Sequence, residues 1–170
     1  DNPSHSQDPQ IYPGSEGTVR YGEGVYIGYR HYEKHGIVPL FPFCHGLSYT
    51  DFSLTDLTVE SDENDVHVTV TVKNIGSRTG STVVQLYLAD DDPEIERPIK
   101  ELRGFAKVTL NASETETLTL TLKSRDFAYF DVNTACWRVA GGEYTLLLGF
   151  SSTDIILTHK LTQTACTIPV

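Results

Sequence analysis

The chain has 170 residues, of which 39% are hydrophobic and 21% charged, and its formal net charge at pH 7 is −10. This length accommodates one domain with a genuine core and a short appendage, and the composition is that of a globular protein. The thirteen Lys and Arg residues are scattered along an acidic chain. We therefore expect no nucleic-acid partner and no membrane partner, since both need clustered cations.

Residues 1–45, which we call the N-terminal arm, differ in amino-acid composition from the rest of the chain. They hold five of the eight prolines and six of the thirteen glycines, yet also seven of the seventeen Phe, Tyr and Trp residues. Gly and Pro at that density prevent long regular elements, and so many rings would be costly to leave in water. Seven rings exceed what one end of a small domain covers, and an uncovered remainder is typical of an interface. We therefore expect the arm to dock on a neighbour that this chain does not contain.

From about Phe52 onward, apolar and polar residues alternate with a period of two. Valines occupy every second position from 66 to 72, and leucines every second position from 118 to 122. Such alternation predicts strands with one buried face, and Gly-, Asn- and Ser-containing turns separate them. About seven short strands predict an all-β fold, an immunoglobulin-like or fibronectin type III-like sandwich of two sheets. Further predicted strands are 82–89, 100–110, 137–140, 143–150 and 154–161.

Four segments, in chain order, resemble one known family. They read YGEGVYIGYRHYEKHGIVPLFPFCHGLSYTDF, VTVKNIGSRTGSTVVQLYLAD, RPIKELRGFAKVTL and WRVAGGEYTLLLGFSSTDIIL. They are similar to the region where family 3 glycoside hydrolases, chiefly β-glucosidases and β-xylosidases, run from an α/β sandwich domain into a C-terminal fibronectin type III-like domain. The sequences HYEK and PLFPF within the first segment are most similar to those of yeast and fungal β-glucosidases. Several motifs at consistent spacing, from about Val19 to Leu157, make the resemblance specific.

The resemblance implies two parts. Residues 1–45 would be the tail of the α/β sandwich domain with the interdomain joint, and 46–170 the fibronectin type III-like domain. The implied partners are the catalytic barrel and the α/β sandwich domain of a longer parent enzyme, and a β-glucoside substrate would meet only those domains. The absence of methionine, including at position 1, also leads us to expect a piece of a longer protein. The rings that we predict at the interdomain interface are Tyr26, Tyr29, Tyr32, Phe41 and Phe43.

Catalysis by this chain is not expected. A retaining glycosidase needs two carboxyl groups about 5–5.5 Å apart. In the resembled family the nucleophile is an aspartate in a Ser-Asp-Trp-like motif of the barrel, whereas here Ser61-Asp62 is followed by Glu63, and the sole tryptophan is Trp137. The acid/base glutamate of the family lies upstream of the matched region. We therefore predict no catalytic residue, no cofactor and no hydrolysis by this chain alone.

Three other groups of polar residues were candidates for chemistry. Glu23, between two glycines, fits a structural carboxylate that bonds neighbouring amides better than a substrate-side or interface role. His31 and His35 have the spacing of zinc ligands on a helix, but the His-Glu-x-x-His order and a third ligand are missing, which favours solvent-facing histidines. The acidic run 90–96 offers oxygens to calcium without EF-hand order, so we predict a solvated loop and no metal site.

The rival function is an independent module that binds polysaccharide or protein through exposed aromatic residues of the sandwich. Trp137 would suit a sugar platform, but it shares a strand face with Val139, which favours a core position. Pull-down of the isolated domain on cellulose or lignin separates this hypothesis from the first. The candidate contact residues are Tyr87, Phe127, Tyr129 and Phe130.

Two further expectations concern charges and thiols. The charged residues of 97–103 look like an exposed rim of ion pairs, each contributing at most about 1 kcal/mol. Cys136 and Cys166 could form a disulfide bridge, but three free thiols fit the sequence equally well. Cys44 stands where the resembled family usually has glycine, which leaves a positive φ at this position in doubt. The sequon at Asn111 would be used only in a secreted protein, so both the secreted and the cytoplasmic location stay open.

Overall fold

The computed structural model describes residues 10–62 and 65–170, so the first nine residues of the N-terminal arm, together with Glu63 and Asn64, lie outside the described ranges. The described residues form two short helices, α1 (Tyr29–Lys34) and α2 (Ser124–Phe127), and ten strands. Neither helix has the length and apolar character needed to cross a membrane. The strands are β1 (Phe52–Ser61), β2 (Asp65–Asn74), β3 (Gly80–Asp90), β4 (Glu101–Leu110), β5 (Thr115–Lys123), β6 (Tyr129–Asp131), β7 (Cys136–Val139), β8 (Gly142–Gly149), β9 (Ile155–Gln163) and β10 (Cys166–Ile168).

Two antiparallel sheets form the sandwich, which confirms the predicted all-β fold. One sheet has the order β1-β2-β5 and the other the order β4-β3-β8-β9. A third, small sheet of order β10-β7-β6 completes the described strands. The seven predicted strands are all present, with ends within three residues of the prediction. β1, β6 and β10 were not predicted individually.

The core lies between the two large sheets and follows from the period of two. On β2, Val68, Val70 and Val72 are fully buried, and the register places Val68 opposite Leu120 of β5. Threonines and a histidine alternate with these valines and face away from the core, as predicted. The facing sheet supplies Val84, Leu86, Leu88, Val108, Leu110, Tyr144, Leu146 and Leu148.

β3 departs from the alternation because both of its faces are covered. Every residue from Val84 to Leu88 is buried, including Gln85 and Tyr87, which point away from the sandwich core. The Tyr87 hydroxyl donates to the Gln85 side-chain oxygen, and the Gln85 amide donates to the carbonyl of Phe150 at 2.7 Å. The N-terminal arm lies over this outer face. β3 is therefore buried on two sides, and its mostly apolar run, interrupted by Gln85, is typical of such a strand.

Asn74, at the end of β2, joins the segment before β1 to both sheets. It is fully buried, and its side-chain oxygen accepts hydrogen bonds from the Thr50 hydroxyl at 2.6 Å and the Gly76 amide at 3.1 Å. Its amide nitrogen donates to the carbonyls of Arg78 at 2.7 Å and Leu110 at 3.0 Å. All four bonding positions of this amide are thus used, as expected for a buried polar side chain.

Candidate functional site

The first feature of the site is the attachment of α1 to the segment that leads into β4. The Tyr26 hydroxyl donates to the carbonyl of Arg97 at 3.1 Å, and the amide of Leu102 donates to the Tyr29 hydroxyl at 2.9 Å. Two ion pairs, Glu33 with Lys100 and Lys34 with Glu96, reinforce the attachment. A six-residue helix is too short to be stable alone. Its conformation therefore depends on these contacts with the sandwich.

The ring of Tyr29 is packed between the arm and the sandwich. It stacks on Phe43, with centroids 5.0 Å apart, and meets the buried ring of Tyr87 edge-on at 5.9 Å. Burial raises the pKa of the Tyr87 hydroxyl, and nearby Cys44, Tyr29 and Glu33 act in the same direction. The amide of Ser152 donates to the carbonyl of Phe43, which fixes the end of the arm as well. The inner side of the arm is therefore joined to this chain's own sandwich.

The outer side of the arm is apolar and exposed. Val38 and Leu40 are 89% and 88% exposed, and Phe41 is 65% exposed. Single exposed apolar residues are ordinary, but a contiguous group within one short segment is typical of an interaction surface. The exposed large hydrophobic residues from the arm into the joint, which we call the apolar face, are Tyr12, Val19, Tyr21, Val25, Ile27, Val38, Leu40, Phe41, Phe43, Leu47 and Tyr49.

The five predicted interface rings are thus divided between two environments. Tyr26 and Tyr29 contact the sandwich, Phe41 belongs to the apolar face, and Phe43 belongs to both, since it is 44% exposed and stacks on Tyr29. Tyr32 is half-buried and lines a groove between α1 and residues 36–43. These positions do not test contact with another domain, which stays a prediction. The apolar residues Val38, Leu40, Leu47 and Tyr49 were not singled out from the sequence, although the segments VPLFPF and GLSY contain them beside Pro and Gly.

The predicted exposed rim of ion pairs is wrong. The Arg97 guanidinium lies 3.3 Å from the Asp90 carboxylate and 3.0 Å from that of Glu101, and the three side chains are nearly inaccessible. Burial alone would raise the pKa of Glu101, but the guanidiniums of Arg103, Arg97 and Arg30 together hold it below its usual value. These charges are covered because α1 lies over them. Its Arg30 pairs with Glu101 and its Glu33 with Lys100. This cluster therefore connects the arm to β4.

Three carboxylates of the acidic run 90–96 are bonded to side chains elsewhere in the chain. Asp91 binds Lys160 and Thr145, Glu94 binds Arg138 and Tyr129, and Glu96 binds Lys34. These partners lower the pKa of each of the three carboxyl groups, with hydrogen bonds as the largest cause. Within 10–62 and 65–170, no group of three His, Cys, Asp or Glu side chains is arranged to hold a metal ion.

The other candidate polar residues lie in or near α1. The rings of His31 and His35 are 4.4 Å apart; His35 is exposed and His31 half-buried. Glu23 is half-buried in the turn before the helix, and its carbonyl accepts from the amide of Tyr26. None of the three belongs to a group of His, Cys, Asp and Glu side chains arranged to hold a metal ion in the described part of the chain.

The aromatic residues required by the rival binding module are mostly covered. Tyr87 and Phe127 are buried, which contradicts their predicted exposure, because the arm covers one and the sandwich core includes the other. Tyr129 is half-buried and donates its hydroxyl hydrogen to Glu94. Phe130 is 42% exposed and meets Trp137 edge-on at 5.4 Å. Arg125 lies over the Trp137 ring, 4.1 Å from its centroid, so that ring offers no open platform to a sugar.

Comparison with known proteins agrees with this architecture. Residues 82–152 match the model of the fibronectin type III-like domain. The chain is 46% identical over 162 residues to thermostable beta-glucosidase B of Acetivibrio thermocellus, covering 93% of this chain and 22% of that protein. It superimposes on the Bifidobacterium adolescentis GH3 beta-glucosidase with a TM-score of 0.87 at 40% identity, covering 91% of this chain and 23% of that one.

A yeast enzyme extends the comparison. The crystal structure of beta-glucosidase from Kluyveromyces marxianus in complex with glucose matches with a TM-score of 0.86 at 37% identity, covering 91% of this chain and 19% of that one. The chain belongs to the C-terminal, fibronectin type III-like region of the family 3 glycoside hydrolases. It spans about a fifth of the length of the relatives it matches. In those relatives the region therefore accompanies other domains of a larger enzyme.

Cys44 has a left-handed backbone conformation. Its φ is 61°, in the left-handed region that favours glycine. We expect Cys44→Gly to raise the free energy of unfolding of the 170-residue chain by about 0.5–1 kcal/mol, since relief of strain exceeds the added freedom of the unfolded chain. Urea denaturation measures the change. Cys44→Ala is the control: it removes the thiol but keeps the strain, and an equal gain in both variants would contradict this explanation.

The cysteines of this family 3 region are free thiols, and all three lie in the described ranges. The register of β7 with β10 explains why Cys136 and Cys166 do not form a bridge. Cys166 lies opposite Val139, three positions along the strand from Cys136. The alternative of free thiols, which the sequence left open, is therefore the one found.

Proposed function

We propose that this chain is the non-catalytic C-terminal part of a β-glucosidase-like retaining glycoside hydrolase, and that it stabilises the catalytic domains. Residues 1–45 are the tail of the α/β sandwich domain and the joint, and residues 46–170 are the fibronectin type III-like domain. The partners are the catalytic barrel and the α/β sandwich domain. A terminal β-D-glucosyl residue is hydrolysed by those domains.

The exposed apolar face of the arm carries this proposal. The inner side of the arm is joined to the sandwich through Tyr26, Tyr29 and the Glu33 and Lys100 pair, so the face is presented by a rigid block. Covering exposed apolar surface stabilises a protein by about 25 cal/mol per Å². The relatives are about four times as long and are named beta-glucosidases, so they contain additional domains, and we propose that such domains cover this surface.

The domain boundary is supported by the positions of the elements. The matched fibronectin type III-like segment, 82–152, lies wholly inside 46–170, and the first strand of the sandwich begins at Phe52. Upstream of it, α1 is the only helix or strand of the described part of the arm. The arm therefore functions as a connector: its inner side contacts the fibronectin type III-like domain, and its outer side contacts the catalytic domains.

Hydrolysis of an aryl β-glucoside tests the assignment of chemistry. We expect the intact enzyme to release the phenol, and the purified 170-residue chain to show only the background rate measured in buffer. The reason is that no Ser-Asp-Trp nucleophile motif occurs in the sequence, and a retaining mechanism needs two carboxyl groups at a fixed separation. Turnover by the 170-residue chain above background would overturn the assignment.

A further inference from the structure

Glu101, at the start of β4, is the residue on which cations of the N-terminal arm and of the sandwich converge. Its first carboxylate oxygen lies 3.2 Å from the guanidinium of Arg30 on α1. Its second oxygen accepts hydrogen bonds from the guanidiniums of Arg97 at 3.0 Å and Arg103 at 2.9 Å. The Glu101 side chain is only 14% exposed, so solvent screens these contacts little. One carboxylate therefore neutralises three cations, of which one belongs to the arm.

Two of the three arginines depend on Glu101 as their anionic partner. Among the described residues, Arg30 and Arg103 pair with no other carboxylate, and the buried Nε of Arg103 has no hydrogen-bond partner. Arg97 also pairs with Asp90 at 3.3 Å. Removal of one member of a covered ion pair is strongly unfavourable, because the other charge stays without a partner. Loss of the Glu101 charge would therefore leave excess positive charge between α1 and β4.

The other titratable groups packed around Glu101 do not offset such a loss. Lys100 and Glu33 pair with each other, and the exposed Lys34 and Glu96 pair lies at the end of α1. The remaining titratable side chains on α1 and on the strands beneath it are His31, His35, Cys44, Tyr29, Tyr87, Asp90 and Tyr144. Of these, Asp90 is already paired with Arg97, and the tyrosines and the cysteine are neutral in acid.

The interior of the sandwich, in contrast, contains no group that takes up a proton in acid. Tyr87 and Tyr144 are buried and neutral there, and burial raises the pKa of both hydroxyls. The buried polar residues among those described are Thr50, Asn74, Gln85, Ser151 and Ser152. Acid therefore acts on the junction of α1 with β4 before it acts on the core.

We propose that the protonation state of Glu101 controls the attachment of α1 to the sandwich: the carboxylate holds α1 against β4, and a proton taken up from the solvent releases α1 while the sandwich stays folded. α1 is the element that moves, because its six residues form a helix only through contacts with the sandwich. Arg97 is also bonded to the carbonyl of Phe127, and Arg103 lies within β4. The inference goes beyond the proposed function, since it concerns the attachment of the arm to the sandwich and not to other domains.

The direction of the pKa shift gives the pH range of the release. Burial raises the pKa of Glu101, but the guanidiniums of Arg103, Arg97 and Arg30 together lower it more, so it lies below the ordinary value of 4.5. A carboxyl group whose pKa is lower in the folded than in the unfolded state stabilises the fold above the unfolded pKa, and this contribution is lost as the pH falls through the folded pKa. We therefore expect α1 to be attached at neutral pH and released below pH 4.5.

Hydrogen exchange in the 170-residue chain, followed by NMR, measures the release. The amide of Leu102 donates to the Tyr29 hydroxyl, so its protection reports the attachment of α1. The amides of Gly36 and Ile37, which close α1, give a second readout away from β4. The amide of Val68, between β1 and β5, reports the sandwich. Each rate is corrected for the intrinsic exchange rate of that sequence at that pH.

Glu101→Gln mimics the protonated side chain at neutral pH. We expect it to lower the protection of Leu102 by about tenfold or more and to leave that of Val68 unchanged, as acid does in the original chain. Glu96→Gln, which removes the exposed partner of Lys34, is the matched control and is expected to change neither amide appreciably. Unchanged protection of Leu102 in Glu101→Gln, or equal losses at Leu102 and Val68, would overturn the proposal.

The double variant Glu101→Gln with Arg30→Gln separates control by charge from a purely structural role of Glu101. Without Arg30, α1 no longer carries the cation that Arg97 and Arg103 repel once the carboxylate is neutral. The double variant should therefore recover part of the Leu102 protection that Glu101→Gln loses. Protection in the double variant equal to or lower than that in Glu101→Gln would show that charge does not control the attachment.

Discussion

Asn74→Ala is expected to lower the free energy of unfolding of the 170-residue chain by about 3–4 kcal/mol, since it removes four hydrogen bonds and leaves buried backbone groups without partners. The lost partners are Thr50, Gly76, Arg78 and Leu110, so the change loosens β2, β4 and the segment before β1 together. Urea denaturation followed by circular dichroism measures the loss.

Asn111→Ala is the matched control for that change. The Asn111 side chain lies exposed in the turn between β4 and β5 and accepts one hydrogen bond, from Thr79 at 3.0 Å. We expect it to cost no more than about 1 kcal/mol, the usual contribution of one exposed hydrogen bond. Equal losses for the two asparagine variants would show that the buried amide does not connect the sheets.

The double variant Phe41→Ala with Phe43→Ala is expected to destabilise the intact enzyme by about 3–5 kcal/mol, the scale for truncation of buried aromatic side chains. In the 170-residue chain the same variant should cost less, because both rings remain substantially exposed there. The melting temperature of the intact enzyme should therefore fall, while turnover of an aryl β-glucoside at low temperature stays unchanged. Scanning calorimetry and a steady-state assay give the two readouts.

Phe105→Ala with Phe130→Ala is a closely matched control. These rings are 68% and 42% exposed, against 65% and 44% for Phe41 and Phe43, and Phe130 also contacts another ring. The two double variants should therefore behave alike in the 170-residue chain and differ in the intact enzyme. An unchanged melting temperature of the intact Phe41 and Phe43 variant would contradict the docking of the arm.

The sandwich could be predicted from the sequence because its strands alternate cleanly. The valines of β2 and the leucines of β5 specify which face is buried, and a one-residue slip would expose all of them. β1 escaped individual prediction because a bulge lies between Thr55 and Thr58, and Asp56, with φ of 54°, interrupts the alternation. β6 and β10 have three residues each, too few to establish a period.

The site was only partly predictable, because the burial of its side chains depends on which part of the sandwich the arm covers. The sequence shows that the arm needs a cover, but it does not show that Tyr29 packs on Tyr87. That contact buries the outer face of β3 and the charges of β4, so Tyr87 and Glu101 both looked exposed from sequence alone. α1 shows no apolar stripe, since its conformation comes from contacts with the sandwich rather than from its own propensity.

Hydroxyl-radical footprinting tests most directly whether the apolar face is one half of an interface within the longer enzyme. The measurement compares oxidation of Tyr21, Phe41 and Tyr49 in the 170-residue chain and in the intact enzyme, with exposed Phe105 as the internal reference. We predict that the three rings are oxidised readily in the short chain and are strongly protected in the intact enzyme, while Phe105 reacts equally in both. Equal oxidation of the three rings in both proteins would contradict the account.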